Sequence, residues 1–221
     1  MSRPRLTRLV IATHNRKKAG EMIQILSKRF PPLEFRTLAD YPKAPEPDET
    51  GSTYAENAAI KAESAAEATG EWALADDAGL EIDALGGEPG LMSKRFAGED
   101  TAFPEKMRRI LELMNDVPEP SRTARFRCCV ALGEPPAAKQ ARQDKARTSP
   151  RTPYLFEAIC EGRIAFEPSG AGGFGYDPIF YLPELRSTMA NLSAEEKHSV
   201  SHRGKVLMLL GDYMEATFEL P

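Results

Sequence analysis

The chain has 221 residues, 41% hydrophobic and 28% charged, with a formal net charge of −4. These values fit one soluble globular domain, or one domain with a second lobe, large enough to bury a core. They argue against a protein that coats nucleic acid, which needs an excess of Lys and Arg, and no apolar run reaches the roughly 18 residues of a membrane span.

Leu9 to Thr13 is short, apolar and β-branched, which predicts a buried strand. Polar Thr13-His14-Asn15-Arg16-Lys17-Lys18 follows, then a helix from about residue 17 to 28 with Met22, Ile25 and Leu26 on one face. A strand–turn–helix opening exposes helix N-terminal amides, which favour anions. Residues 34–38 read as a second strand, and 41–48, with Pro42, Pro45 and Pro47, as a loop closed by Asp48-Glu49. Thr53-Tyr54-Ala55-Glu56 is a capping box opening an Ala-rich helix that Gly70 ends. Trp72 to Asp76 reads as a strand with Asp76-Asp77-Ala78-Gly79 at its end, and Pro104 to Met114 as a helix.

Thr123–Leu132 and Tyr154–Ile159 are expected strands, and residues 133–153 between them a polar, basic, Pro-rich mobile surface loop. Residues 166–180 are Gly-rich. Ser193-Ala194-Glu195-Glu196 is a second capping box, with a helical pattern to about residue 216 that Ser201 is placed to restart. The order implies an α/β fold with a mixed sheet. Cys128, Cys129 and Cys160 have no CxxC spacing, and neighbours on a strand point to opposite faces, so they read as free thiols of a reducing cytoplasm.

Four polar clusters have the residue types for chemistry. In Thr13–Lys18, a strand-end hydroxyl with Lys17 and Lys18 suits a polyphosphate; a solvated helix start is the plain alternative. Asp48, Glu49, Asp76 and Asp77 supply the carboxylate oxygens that magnesium takes together with phosphate. Gly170-Ala171-Gly172-Gly173-Phe174-Gly175-Tyr176-Asp177-Pro178 matches GxGxxG, but Pro178 and an apolar run follow it, so the dinucleotide fingerprint does not apply. The loop instead lets backbone approach a flat ligand while Phe174 stacks on a base, or it is a tight turn holding a core aromatic. Lys197, His202 and Arg203 are donors near a helix start that can read an acceptor such as purine O6, or they form a charged helical face. His14 and His198 have weaker claims.

In order along the chain, Ala12-Thr13-His14-Asn15-Arg16-Lys17-Lys18, Glu49-Thr50-Gly51 with Glu56-Asn57-Ala58 and Lys61, Ala75-Asp76-Asp77-Ala78-Gly79-Leu80, Gly172 to Pro178, and Leu192 to Gly204 resemble the inosine triphosphate pyrophosphatase family. The resemblance spans nearly the whole chain. It implies an α/β fold with a long mixed central sheet, helices on both sides and two lobes forming a cleft. It also implies a cytoplasmic homodimer that, with Mg²⁺, hydrolyses deaminated purine nucleoside triphosphates (ITP, dITP, XTP) to monophosphate and pyrophosphate. On the resemblance, Thr13, His14, Asn15, Arg16, Lys17 and Lys18 form the phosphate turn and Lys61 faces the phosphates. Asp48, Glu49, Asp76 and Asp77 are the metal-associated acids, with the choice between Asp48 and Glu49 open, and Asp77 is the general base. Ala78 falls on a substrate contact, and Phe174, Gly175, Tyr176, Asp177, Lys197, His202 and Arg203 fall on the base pocket. Two departures stand out: Ala78 replaces a frequent Ser, and the 133–153 segment is long. A regulator that binds nucleotide without turnover, a pyrophosphatase for other modified nucleotides and a single-stranded RNA binder are the rival readings.

Overall fold

The computed structural model describes residues 3–143 and 153–221. In chain order the elements are β1 (Arg8–Ile11), α1 (Arg16–Arg29), β2 (Glu34–Thr37), α2 (Tyr54–Thr69), β3 (Ala73–Ile82), α3 (Phe103–Leu113), β4 (Thr123–Gly133), α4 (Pro136–Gln143), β5 (Tyr154–Ile164), β6 (Phe180–Leu182), β7 (Ser187–Thr188), α5 (Ala194–Val200) and α6 (His202–Thr217). The strands form one seven-stranded sheet in the order β2-β1-β3-β4-β5-β6-β7. β1 runs parallel to β2 and β3, while β5, β6 and β7 are antiparallel neighbours, so the sheet is mixed as expected.

The chain divides into two compact units. Unit 1 comprises Met1–Asp77, Cys129–Glu157 and Val206–Pro221; unit 2 comprises Ala78–Cys128 and Ala158–Lys205. In unit 1, Val10, Ala73, Ala75, Cys129 and Ala131 pack against Ala58, Ala62, Ala65 and Ala66 of α2. Strand alternation sends Leu9, Ile11 and Leu74 to the opposite face, where each is fully buried. Burial on both faces explains why these strands read as continuous apolar runs, and each such Leu or Ile contributes about 1.5–3 kcal/mol.

In unit 2, Met107, Ile110 and Met114 pack with Leu80, Ile82, Phe126 and Phe180. Two cations lie inside this unit. Arg122 donates to the carbonyls of Ile164 (2.8 Å), Met114 (2.6 Å), Val117 (3.3 Å) and Ala165 (2.9 Å), and burial lowers its pKa. Lys106 Nζ donates to the carbonyls of Lys94 and Gly98. Both tie loop backbone to the core.

Three expectations need correction. The aspartate pair does not end its strand: β3 runs from Ala73 to Ile82 and carries Asp76 and Asp77 in its middle. It is β1 that ends, pairing with β3 only at Ala73 and Leu74, so the carboxylates lie just beyond the end of a parallel neighbour. Part of the expected loop 133–153 is helix α4, where Pro136 opens a run of helix formers; residues 144–152 lie outside the described residues. The strand expected at Tyr154–Ile159 continues to Ile164 as β5, and short β6 and β7 follow. Ser201 does separate two helices: its backbone is extended and its Oγ accepts from Gly204 N at 3.1 Å. Among the described residues no helix is long and apolar enough to cross a membrane.

Candidate active site

The phosphate-type cluster lies within unit 1, where α1, α2 and β3 each supply one part. Asn15 is the N-cap of α1, its Oδ1 accepting from Lys17 N and Lys18 N at 3.1 and 3.2 Å. Those two amides are therefore taken, contrary to the expected open helix terminus. Thr13 Oγ1 accepts from Asn15 N at 3.2 Å. Arg16 and Lys17 are exposed, and His14 lies 4.0 Å from Glu46 in the open.

Adjacent residues of β3 point to opposite faces, and the two aspartates meet different helices. Asp76, fully buried, lies 3.3 Å from Lys18 Nζ of α1. Asp77 faces α2, where Lys61 Nζ donates to Oδ1 at 3.0 Å and Asn57 Nδ2 to Oδ2 at 3.3 Å. Lys61 also donates to Glu49 at 2.9 Å, while Asp48 is exposed. Of the two upstream acids, the structure brings Glu49 to Lys61.

Burial works against the Lys61 ammonium, but Asp77, Asp76 and Glu49 outweigh it and hold its pKa above the ordinary lysine value. Burial also raises the Asp77 carboxyl, because Lys61 and Lys18 offset that penalty only in part. One cause serves both: two ammonium groups stand among three carboxylates. Such a cluster holds an anionic phosphate only when further positive charge arrives. Among the described residues no three His, Cys, Asp or Glu side chains form a closed metal cage. Two or three carboxylates beside two lysines instead suit magnesium, which takes one or two protein carboxylates and completes its shell with phosphate and water.

The second cluster lies within unit 2. Asp177 is buried, and its Oδ2 accepts from Lys197 Nζ at 2.8 Å and from Phe174 N at 2.7 Å. Lys197 Nζ lies 4.6 Å and the Arg203 guanidinium 5.6 Å from the centre of the Phe174 ring, both within cation–π range. Gly173 makes this packing possible: its φ is +68°, and a Cβ there would lie 2.1 Å from Asp177 Oδ2. Two other expected residues pack into the core. His202 stacks on Phe126 at 4.7 Å. The Tyr176 hydroxyl donates to the Ser93 carbonyl at 2.8 Å, and burial raises its pKa, so this side chain belongs to the core. Ala78 is half-buried in β3.

A family model described as the Ham1 family matches residues 9–213. The chain belongs to the Ham1 family. It is 44% identical over 207 residues to a protein of Geobacillus kaustophilus named dITP/XTP pyrophosphatase, covering 94% of each chain. A protein of the same name from Yersinia pseudotuberculosis is 41% identical over 207 residues, with 94% of this chain and 98% of the other covered. A solved HAM1 protein from Coxiella burnetii aligns with a TM-score of 0.80 and 38% identity, over 95% of this chain and 98% of the other. The Staphylococcus aureus Ham1 protein gives 0.78 and 35%, with the same coverage.

Asn57 joins Lys61 in holding the Asp77 carboxylate. Asn57 stood in a matching motif but was given no part. Its spacing of four from Lys61 on a helix was the available signal, since i and i+4 share a face.

Proposed function

We propose that this chain hydrolyses deaminated purine nucleoside triphosphates, ITP, dITP and XTP, to the monophosphate and pyrophosphate, and so clears them from the nucleotide pool. The observation that carries the reading is Lys61 held between Glu49 and Asp77, with Lys18 and Asp76 beside them. Its identity to proteins named for this activity supports it. Lys18 and Lys61 hold phosphate oxygens, with Thr13, Asn15 and the exposed Arg16 and Lys17 around them. Asp77 orients a water and takes its proton as the oxygen bonds to the α-phosphorus; the bond from that phosphorus to the bridging oxygen breaks, and pyrophosphate leaves. Glu49 and Asp77 are the residues that would hold Mg²⁺, with Asp76 close by. When bound, the ion neutralises charge on the phosphates. Positioning and charge stabilisation supply most of the rate in such transfers.

The unit 2 cluster takes the base. Phe174 offers a ring face, and Arg203 has donors only. Inosine and xanthosine present O6 as an acceptor; adenine presents an amino group that leaves a buried donor unpaired, at about 1–3 kcal/mol. We place the enzyme in the cytoplasm, where its three buried cysteines stay reduced, and take it to be a homodimer, to be checked by sedimentation. The test of function is pyrophosphate release with Mg²⁺ across a panel of nucleoside triphosphates. Release from ITP and XTP well above ATP and GTP is expected; no release from any would remove the reading.

A further inference from the structure

We infer that Asn57 is a positioning residue, whose side-chain amide fixes the Glu49 loop against Asp77; the inference rests on the proposed roles of those two acids. Asn57 is 5% exposed. Its Nδ2 donates to Asp77 Oδ2 at 3.3 Å, and its Oδ1 accepts from Gly51 N at 2.8 Å. Gly51 lies two residues beyond Glu49, in a turn where Thr50 N donates to the Asp48 carbonyl at 3.0 Å.

The approach is close enough to demand glycine. A Cβ on Gly51 would stand 2.7 Å from Asn57 Oδ1 and 2.6 Å from Glu56 Cβ. Asp77 is held at both oxygens by one face of α2, Oδ2 by Asn57 and Oδ1 by Lys61. Lys61 then reaches Glu49. The two acids are thus joined twice, once through an ammonium and once through an amide. The amide route is the directional one: a flexible lysine tolerates several placements of its carboxylates, whereas a planar amide with one donor edge and one acceptor edge does not. Asparagine is a poor helix former, and its place inside α2 follows from needing both edges at once.

Asn57→Asp, Asn57→Leu and Gly51→Ala separate the possibilities. Asn57→Asp keeps the acceptor for Gly51 and removes the donor to Asp77. Asn57→Leu removes both. Gly51→Ala leaves Asn57 in place and pushes the loop off it. The readouts are kcat and KM for ITP with Mg²⁺, the thermal midpoint, and binding of Mn²⁺ alone followed by electron paramagnetic resonance.

Partners that orient metal-binding carboxylates change affinity or activity by about 10–100-fold when lost. We expect kcat to fall in that range in all three variants, and Mn²⁺ affinity likewise in Asn57→Leu and Gly51→Ala. KM should move less than about threefold, because Lys18 and Lys61 remain to bind phosphate. Asn57→Asp decides against a merely structural role: a residue needed only to hold Gly51 would leave its kcat near wild type, and that result would overturn the inference. So would wild-type Mn²⁺ affinity in both Asn57→Leu and Gly51→Ala. If the wild-type protein released no pyrophosphate, the functional reading would fall while the Mn²⁺ comparison still judged Asn57.

Discussion

Unit 1 and unit 2 each bury a lysine against aspartate, and they do it differently. In unit 2, Lys197 donates to Asp177, with side chains 7% and 4% exposed. A backbone N–H takes the same carboxylate oxygen, and the Phe174 ring lies beside the ammonium. In unit 1, Lys61 is shared by Asp77 and Glu49, with exposures of 16%, 14% and 27%. The first arrangement is closed, with the Arg203 guanidinium also beside the Phe174 ring. The second has surplus carboxylate and is reachable. A closed pair can hold an aromatic ring and its donors still, which suits reading a neutral base; a cluster with surplus carboxylate is completed by what binds to it, which suits phosphate with a cation.

The sharpest way to break this contrast is at Asp77. Asp77→Asn keeps the shape but cannot take a proton, so kcat for ITP should fall by about 10²–10⁴-fold. The fold should persist, since the variant lowers the charge imbalance around Lys61. Near-full turnover in purified Asp77→Asn would refute its role as base.

Lys197→Met attacks the closed side. It removes the Lys197 cation from the buried Asp177 carboxylate, and breaking a buried pair from one side costs about 3–5 kcal/mol of stability. The double variant Lys197→Met/Asp177→Leu should recover much of that loss, because the buried carboxylate goes too. Denaturant unfolding of wild type, single and double variants measures both; a single variant as stable as wild type would show that the pair is not the closed unit described.

Arg203→Ala tests whether that rigid platform reads the base. It should narrow the preference in kcat/KM for ITP over ATP by about 1–3 kcal/mol, while pyrophosphate release itself survives. An unchanged ITP to ATP ratio would move the discrimination away from Arg203.

What could be read from the sequence follows the same division between local and non-local causes. Both capping boxes, the break at Ser201 and the phase of α3 depend on residues within a turn or two of each other, and each stood in the sequence. The position of Asp76 and Asp77 within their strand did not, because it depends on where β1 stops pairing with β3. Nor did Asn57, whose two partners are Gly51 and Asp77, on a loop and another strand. The Tyr176 hydroxyl, in a segment expected on the base side, donates to the Ser93 carbonyl 83 positions away. Nothing local in the sequence marks Arg122 and Lys106 for burial; only the folded chain supplies the carbonyls that accept from them. The residue types of the site were legible. Which of them meet was legible for Lys18 and Lys61 beside the β3 aspartates and for Phe174 beside Lys197 and Arg203, and there through the family resemblance.

The smallest effect sharpens the comparison through a device both units share. Thr53 opens α2, which carries Asn57 and Lys61; Ser193 opens α5, which carries Lys197. Each accepts from the backbone N–H three residues on, and Glu56 and Glu196 return the bond. Replacing either cap by Ala should cost about 0.5–2 kcal/mol. The loss should be larger at Ser193, because α5 has seven residues against sixteen in α2, leaving fewer helical bonds to carry the loss. Hydrogen bonds from the Ser193 side chain and backbone hold Glu196 below the ordinary glutamate range. A depressed carboxyl stabilises the fold above its unfolded pKa, and that contribution disappears as pH falls through the folded value. The stability gap between wild type and Ser193→Ala should therefore be greatest near neutrality and narrow in acid, where only the bond from the Glu196 backbone N–H to the Ser193 hydroxyl still counts. A gap that stayed constant from about pH 7 to pH 3, across the carboxylate range, would mean that Glu196 takes no part in the cap.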